Sequence, residues 1–212
     1  MTCPDCERNR HMFDIVVNEQ RYTPKFGDRV LDLGAWYGHF TFYCASRGTI
    51  VKAYEPLPEV FADFAHNLSK QPWAQNVTAI NKAISSHDHR RELFVDPNDR
   101  ASSFFRPGRP IIVDVETLSE ALEDKTWQCV KVDIEGAEYE LLMHASGEEL
   151  NRISYLTVEL HNDVLMEEQH DALIRRMSAV FEYIFTESEK YNGEPTGRFS
   201  KLFCSHKVRI PL

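Results

Sequence analysis

A cluster of carboxylates and one histidine has the types and spacing for proton or metal chemistry. Asp133, Glu135 and Glu138 stand at and just beyond the end of an apolar run, 129–134, and Glu159 and His161 close a second run, 153–160. Alternation along a strand puts Glu159 and His161 on one side, beside Asp133 at the carboxyl edge of a sheet. A histidine of ordinary pKa is a suitable general base at neutral pH. Asp133, Glu159 and His161 could instead hold a divalent cation that lowers a hydroxyl pKa. A third reading is structural, with the strand-end histidine bonded to a neighbouring carboxylate. His144, His170 and His206 show no partners in the sequence and read as surface residues.

A second constellation lies earlier, in the run Val-Leu-Asp-Leu-Gly-Ala-Trp-Tyr-Gly-His-Phe at 30–40. Asp32 sits at the end of a buried-strand pattern. Gly34 lets the chain leave that strand, and Gly38 lets the following helix approach ligand and sheet closely. Trp36 occupies the place where a dinucleotide fingerprint needs its middle glycine, so a pyrophosphate is disfavoured. No Gly-Lys-Ser/Thr follows, which removes a phosphate-cradling loop. A nucleoside without phosphates is favoured, and S-adenosylmethionine is the common one. Glu55, before Pro56, ends the next strand pattern, where one carboxylate can accept both ribose hydroxyls. The alternatives are a glycine-bearing turn without a ligand and a surface glutamate.

Positioning these groups falls to alternating elements. Strand patterns occupy 29–33, 49–54, 77–81, 129–134, 153–160, 181–185 and 201–204, with helix patterns at 40–47, 58–70, 139–143 and 170–177. The pattern predicts an α/β, Rossmann-like fold: a mostly parallel seven-stranded sheet with helices on both faces. Gly193, Pro195 and Gly197 place a turn in 187–198, so the sheet should close with a C-terminal antiparallel hairpin. One domain over 1–212 is expected, with an N-terminal extension at 1–25 and an insertion at 86–115. Within the insertion, 92–95 and 111–115 look like short strands around a loop that is either a substrate-side lid or a plain connection. Phe104 and Phe105 could cap the site or form a small apolar cluster.

The chain is 42% hydrophobic and 27% charged, with a net charge of −9. That balance argues against general binding to nucleic acid, which needs clustered Lys and Arg. The basic spots at 89–91 and 106–109 read as solvated loop charges. No apolar run reaches the roughly 20 residues of a membrane span, and no signal peptide opens the chain, so a cytoplasmic protein is expected. Cys44 and Cys129 fall within apolar patterns and read as core residues. Cys3 and Cys6 form a CxxC pair, half of a zinc site that Cys204 and His206 could complete if the termini met. Oligomeric state, a homodimer included, stays open.

Residues 131–139, Lys-Val-Asp-Ile-Glu-Gly-Ala-Glu-Tyr, resemble the hallmark of the FkbM family of S-adenosylmethionine-dependent methyltransferases, a class I group. The turn at 30–40 is similar to that family's first motif, Glu55-Pro56 to its second, and Asn81-Lys82-Ala83-Ile84-Ser85 to its third. Residues 115–118 resemble the segment before the acidic strand. The resemblance covers about Val30 to Leu160. It implies that Glu55 holds the cofactor ribose, with Pro56 beside it, and that Asn81 and Ala83 border the adenine. It also implies that the turn from Asp32 through Gly34, Ala35, Trp36, Gly38, His39 and Phe40 holds the methionine part. Trp36 departs from the small or amide residue usual there. The implied reaction is methyl transfer to a hydroxyl of a sugar or polyketide-like acceptor, with Asp133, Glu159 and His161 handling the proton and a divalent cation as an option. N- or C-methylation, a nicotinamide-dependent oxidoreductase and an inactive cofactor-binding module are the alternatives.

Overall fold

The computed structural model describes residues 21–86, 89–95, 102–105, 107–161, 167–191 and 194–206. The first half of the chain contains β1 (Arg29–Leu33), α1 (His39–Ala45), β2 (Ile50–Tyr54), α2 (Pro58–Ser69), β3 (Val77–Ile80), β4 (Ala83–Ile84), β5 (His89–Val95) and β6 (Ser102–Ser103). Then come β7 (Arg109–Glu116), α3 (Leu118–Leu122), β8 (Cys129–Val132), α4 (Glu138–His144), α5 (Gly147–Asn151) and β9 (Tyr155–Glu159). The chain continues through α6 (Glu167–Ser178), β10 (Tyr183–Tyr191) and β11 (Glu194–Ser205).

Strands buried on both faces read as continuous apolar runs, and side chains of period two divide between the two faces. In β1 and β8, Leu31, Leu33, Val130 and Val132 enter one core, together with Leu141, Leu150 and Met177. Val30 and Cys129 enter the other, against Phe40, Cys44 and Phe64. The main sheet has the order β10-β11-β9-β8-β1-β2-β3. Strands β9 to β3 are parallel, and β11 runs antiparallel to both β9 and β10. The expected seven-stranded α/β sheet with its closing hairpin is therefore present. Asp32 and Lys131 are register partners on β1 and β8, so two charges lie side by side inside the sheet.

The described residues within 83–116 differ from the expected pair of short strands. They build a second sheet in the order β4-β7-β5-β6. Its strands are longer because the basic residues of 89–91 pair within it rather than standing in a loop. Arg90 faces Asp114 across the ladder, and its Nε lies 2.9 Å from Asp114 Oδ1. Leu93, Val95, Val113 and Val115 project to the other side, onto Leu57 and Val60 of the α2 start. Tyr37 of the glycine turn and Phe104 pack against the same cluster, so this sheet flanks the turn. Arg106 lies outside the described residues.

Cys44 and Cys129 are core residues, as expected. Cys204 is a core residue too, which corrects the zinc reading. It lies in the core that holds Leu141 and Met177, where burial pushes its thiol pKa up and disfavours the thiolate that zinc requires. His206 stacks on Phe181, ring centroids 4.5 Å apart. Cys3 and Cys6 lie outside the described residues. His170 is buried rather than on the surface. No helix among the described residues is long and apolar enough to cross a membrane.

Candidate active site

Gly34 leaves β1 with φ +83°, and its own N–H and that of Ala35 both donate to the Tyr54 carbonyl at the end of β2. A Cβ at Gly34 would stand 1.7 Å from the Asp133 carbonyl oxygen, so the turn lies directly on the loop after β8. Trp36 also adopts a left-handed conformation, φ 51°, which is uncommon for a bulky residue and found where a turn is held from outside. That hold is Glu55, whose Oε2 accepts the Trp36 N–H at 2.9 Å. Gly38 presses on the Phe64 ring and opens α1. Gly34→Ala is expected to destabilise the protein by at least about 2 kcal/mol, since left-handed strain and a backbone clash combine. A thermal melt measures it, and an unshifted midpoint would contradict this packing.

Glu55 is 5% exposed. Besides Trp36, its Oε1 accepts the Leu57 N–H at 2.9 Å. Burial raises its pKa to about 7, with the two N–H donors pulling the other way. Asn81 Nδ2 donates to the Glu55 carbonyl at 2.8 Å and to the Pro56 carbonyl at 3.1 Å, tying the ends of β2 and β3 together. Ala83 is buried behind it against Leu57 and Val60. Trp36 stays partly exposed, its ring 4.7 Å from Tyr37 and 5.6 Å from His39. Phe40 is a core residue rather than a wall of the site.

Asp32 lies within β1 rather than at its tip, and it has no exposed surface. Its Oδ2 accepts from Thr41 Oγ1 at 2.6 Å, and its Oδ1 is 3.5 Å from Lys131 Nζ. Lys131 is the residue that sequence reasoning passed over. Its ammonium donates to the Gly34 carbonyl at 3.0 Å and lies 3.2 Å from Asp133 Oδ2. Burial opposes its charge, yet Asp133 and Asp32 outweigh burial and raise its pKa. Burial raises the pKa of Asp32, with Lys131 and Thr41 working against the shift. The available signal was a lysine inside the four-residue buried strand Cys-Val-Lys-Val.

One ammonium thus joins the glycine turn to the acidic loop. Beyond it, Glu138 has no exposed surface, and its carboxylate accepts the N–H groups of Ile134 and Gly136 at 3.0 and 3.1 Å. The same Oε1 lies 2.9 Å from His161 Nδ1. His161 Nε2 is 3.2 Å from Glu135 Oε2 and 4.0 Å from Asp133 Oδ1. Burial disfavours the imidazolium, but the Glu138 bond and the surrounding carboxylates prevail and raise the His161 pKa to about 9. The carboxylates around His161 thus favour its charged form, whereas the sequence reading had a histidine of ordinary pKa as the base. Glu135, not Glu159, completes the group with Asp133 and His161. Glu159 sits partly buried opposite Lys201 in the ladder, its pKa raised by burial and by Asp133. Ser103 Oγ donates to the Glu135 carbonyl at 2.6 Å, which fastens the second sheet to the acidic loop. Phe104 packs on the cluster around Leu57 and Val60, under Arg91, and Phe105 is exposed.

A parallel sheet with a glycine turn at its carboxyl edge and a closing antiparallel hairpin has the class I methyltransferase fold. Residues 27–187 match the methyltransferase FkbM domain, and the chain belongs to that family of methyltransferases. It is 25% identical over 162 residues to "Methyltransferase 1" of Beauveria bassiana (strain ARSEF 2860), covering 62% of this chain and 64% of that protein. The chain thus spans just under two thirds of that relative's length. A putative rRNA-methylase from Clostridium thermocellum has a TM-score of 0.54 at 11% identity, covering 94% of this chain and 96% of that one. TrmK of M. capricolum, solved with S-adenosyl-homocysteine, has a TM-score of 0.53 at 11% identity, covering 92% and 69%. These structural likenesses are likenesses of fold.

Proposed function

We propose that the chain transfers the methyl group of S-adenosylmethionine to a hydroxyl oxygen of a small neutral acceptor, such as a sugar or natural-product ring. The observation that carries this reading is Lys131, whose ammonium touches both Gly34 of the cofactor turn and Asp133 of the His161 cluster. The two halves of a methyl-transfer site are thereby held a side chain apart. Glu55 takes the ribose hydroxyls, the backbone of Gly34 to Gly38 seats the methionine part, and Asn81 borders the adenine. Asp32 acts through Lys131 and the turn it supports. The cofactor supplies a methyl group on a positively charged sulfur. The acceptor oxygen attacks the methyl carbon as the carbon–sulfur bond breaks, and the sulfur keeps the electron pair.

The hydroxyl must lose its proton during the attack, and the group formed by Asp133, Glu135 and His161 takes it. Two carboxylates face one side of an imidazole, so the group can accept a proton even while His161 itself is charged. Positioning and proton removal are both large effects in such a reaction. The acidic chain favours a neutral acceptor over a polyanion. His161→Ala is expected to lower turnover by at least about a hundredfold while S-adenosylhomocysteine affinity stays near normal. Steady-state rates and calorimetry on the same preparation test this, and a fully active variant would refute it.

A further inference from the structure

We infer that Trp36 discriminates the charged cofactor from its neutral product by presenting its ring to the sulfonium sulfur. The inference deepens the proposed methyl transfer and rests on the reading that Glu55 takes the ribose and the glycine turn takes the methionine part. In S-adenosylmethionine the sulfur is the atom that joins those two parts. Trp36 joins the two places that hold them. It lies in the turn between Gly34 and Gly38, and its N–H is accepted by Glu55 Oε2 at 2.9 Å. A side chain at that position stands beside the junction, where the cofactor carries its positive charge.

The chain has three tryptophans, and two of them serve packing. Trp127 is buried and its Nε1 donates to the Leu122 carbonyl, while Trp73 packs on Phe42, ring centroids 5.5 Å apart. Trp36 keeps 37% of its surface exposed, although tryptophan is highly buried on average. Its backbone is left-handed, φ 51°, and strain of that kind gathers at ligand sites. Tyr37, tilted by 60° at 4.7 Å, braces the indole and is itself anchored on the cluster of Leu57 and Val60. His39 lies 5.6 Å away on the first turn of α1. Burial lowers the His39 pKa, so at neutral pH no imidazolium competes for the ring.

A ligand cation over the face of an indole is attracted by the ring quadrupole, and tryptophan is the strongest aromatic side chain in this respect. S-adenosylmethionine and S-adenosylhomocysteine differ by one methyl group and one charge. The backbone of the turn serves both alike. The Glu55 carboxylate also favours the sulfonium, but it does so whatever residue stands at position 36. When the carbon–sulfur bond breaks, the sulfur keeps the electron pair and becomes neutral. The attraction of the Trp36 ring is lost at that moment, which eases release of the product.

Calorimetry with S-adenosylmethionine and with S-adenosylhomocysteine, on the full chain and on Trp36→Leu and Trp36→Phe, tests this. Trp36→Leu is expected to weaken S-adenosylmethionine about 3- to 30-fold more than it weakens S-adenosylhomocysteine. Leucine still offers an apolar surface to the methyl group, so the difference reports the charge. Trp36→Phe should fall between the leucine variant and the unaltered chain, and it remains informative if Trp36→Leu fails to fold. Equal weakening of both ligands in the variants would make Trp36 a prop of the turn, overturning the inference and leaving the cofactor reading intact. Unchanged affinity for both would overturn it as well. An unaltered chain that binds neither ligand would overturn the cofactor reading itself, and the inference with it.

Discussion

Glu55→Gln is expected to weaken S-adenosylhomocysteine binding by at least about a hundredfold. Two ribose hydroxyls donating to one carboxylate make two charge-assisted hydrogen bonds of about 1.5–3 kcal/mol each. Their sum corresponds to about 10²–10⁴ in affinity. Glutamine keeps the volume and removes the charge. Its amide nitrogen would also meet the N–H of either Trp36 or Leu57, so a small fall in stability is expected beside the large fall in affinity. Calorimetry on a variant with a native circular dichroism spectrum separates the two, and binding within a few-fold of the unaltered protein would remove the ribose from Glu55.

The same carboxyl gives the binding a pH dependence whose sign can be worked out. Burial raises its pKa to about 7 in the free protein. The ribose hydroxyls donate far more strongly to its ionised form, so below that pH tight binding is coupled to release of a proton. At pH 6 about one carboxyl in ten is ionised, and the dissociation constant should be about tenfold weaker than at pH 8. Above pH 8 the profile should be flat, and in Glu55→Gln this step should vanish. A profile rising toward acid would have the wrong sign.

Lys131→Met is expected to destabilise the fold by about 3–5 kcal/mol. The methionine fits the space, but the fully buried Asp32 and the part-buried Asp133 then lose the cation that lies 3.5 and 3.2 Å from them. Removing one partner of a buried ionic group leaves uncompensated charge, a larger penalty than the intact pairs are worth. The Gly34 carbonyl also loses its donor, so the glycine turn should loosen. Adding Asp32→Asn should restore part of the loss, because an asparagine oxygen still accepts from Thr41 Oγ1. Chemical denaturation of the single and double variants measures the coupling. Additive effects would mean that the two side chains do not interact.

The main sheet was legible because its strands are buried on both faces and bounded by helix-length segments. The carboxyl-edge placement of the glycine turn, Glu55 and the acidic loop followed from that periodicity. What stayed hidden was of two kinds. The helices α3 and α5 are too short to show periodicity. Their capping boxes, Thr117 with Glu120 and Ser146 with Glu149, were the signal that was there. The second sheet was harder to see, because Arg90 and Arg91 lie on one of its strands and charge suggested a loop. The exchange of Glu159 for Glu135 depends on the loop after β8, where Glu135 takes a left-handed conformation that turns it toward His161. Strand alternation cannot foresee such a reversal. Lys131 was visible as a residue, but its role needed the register that sets it beside Asp32.

A structure with S-adenosylhomocysteine bound tests the central claim most directly. The expected result has both ribose hydroxyls on the Glu55 carboxylate and the sulfur facing Asp133, Glu135 and His161. Between them there should be room for one oxygen about 3 Å from the position of the transferred methyl. A ribose held away from Glu55, or a sulfur turned away from His161, would contradict it.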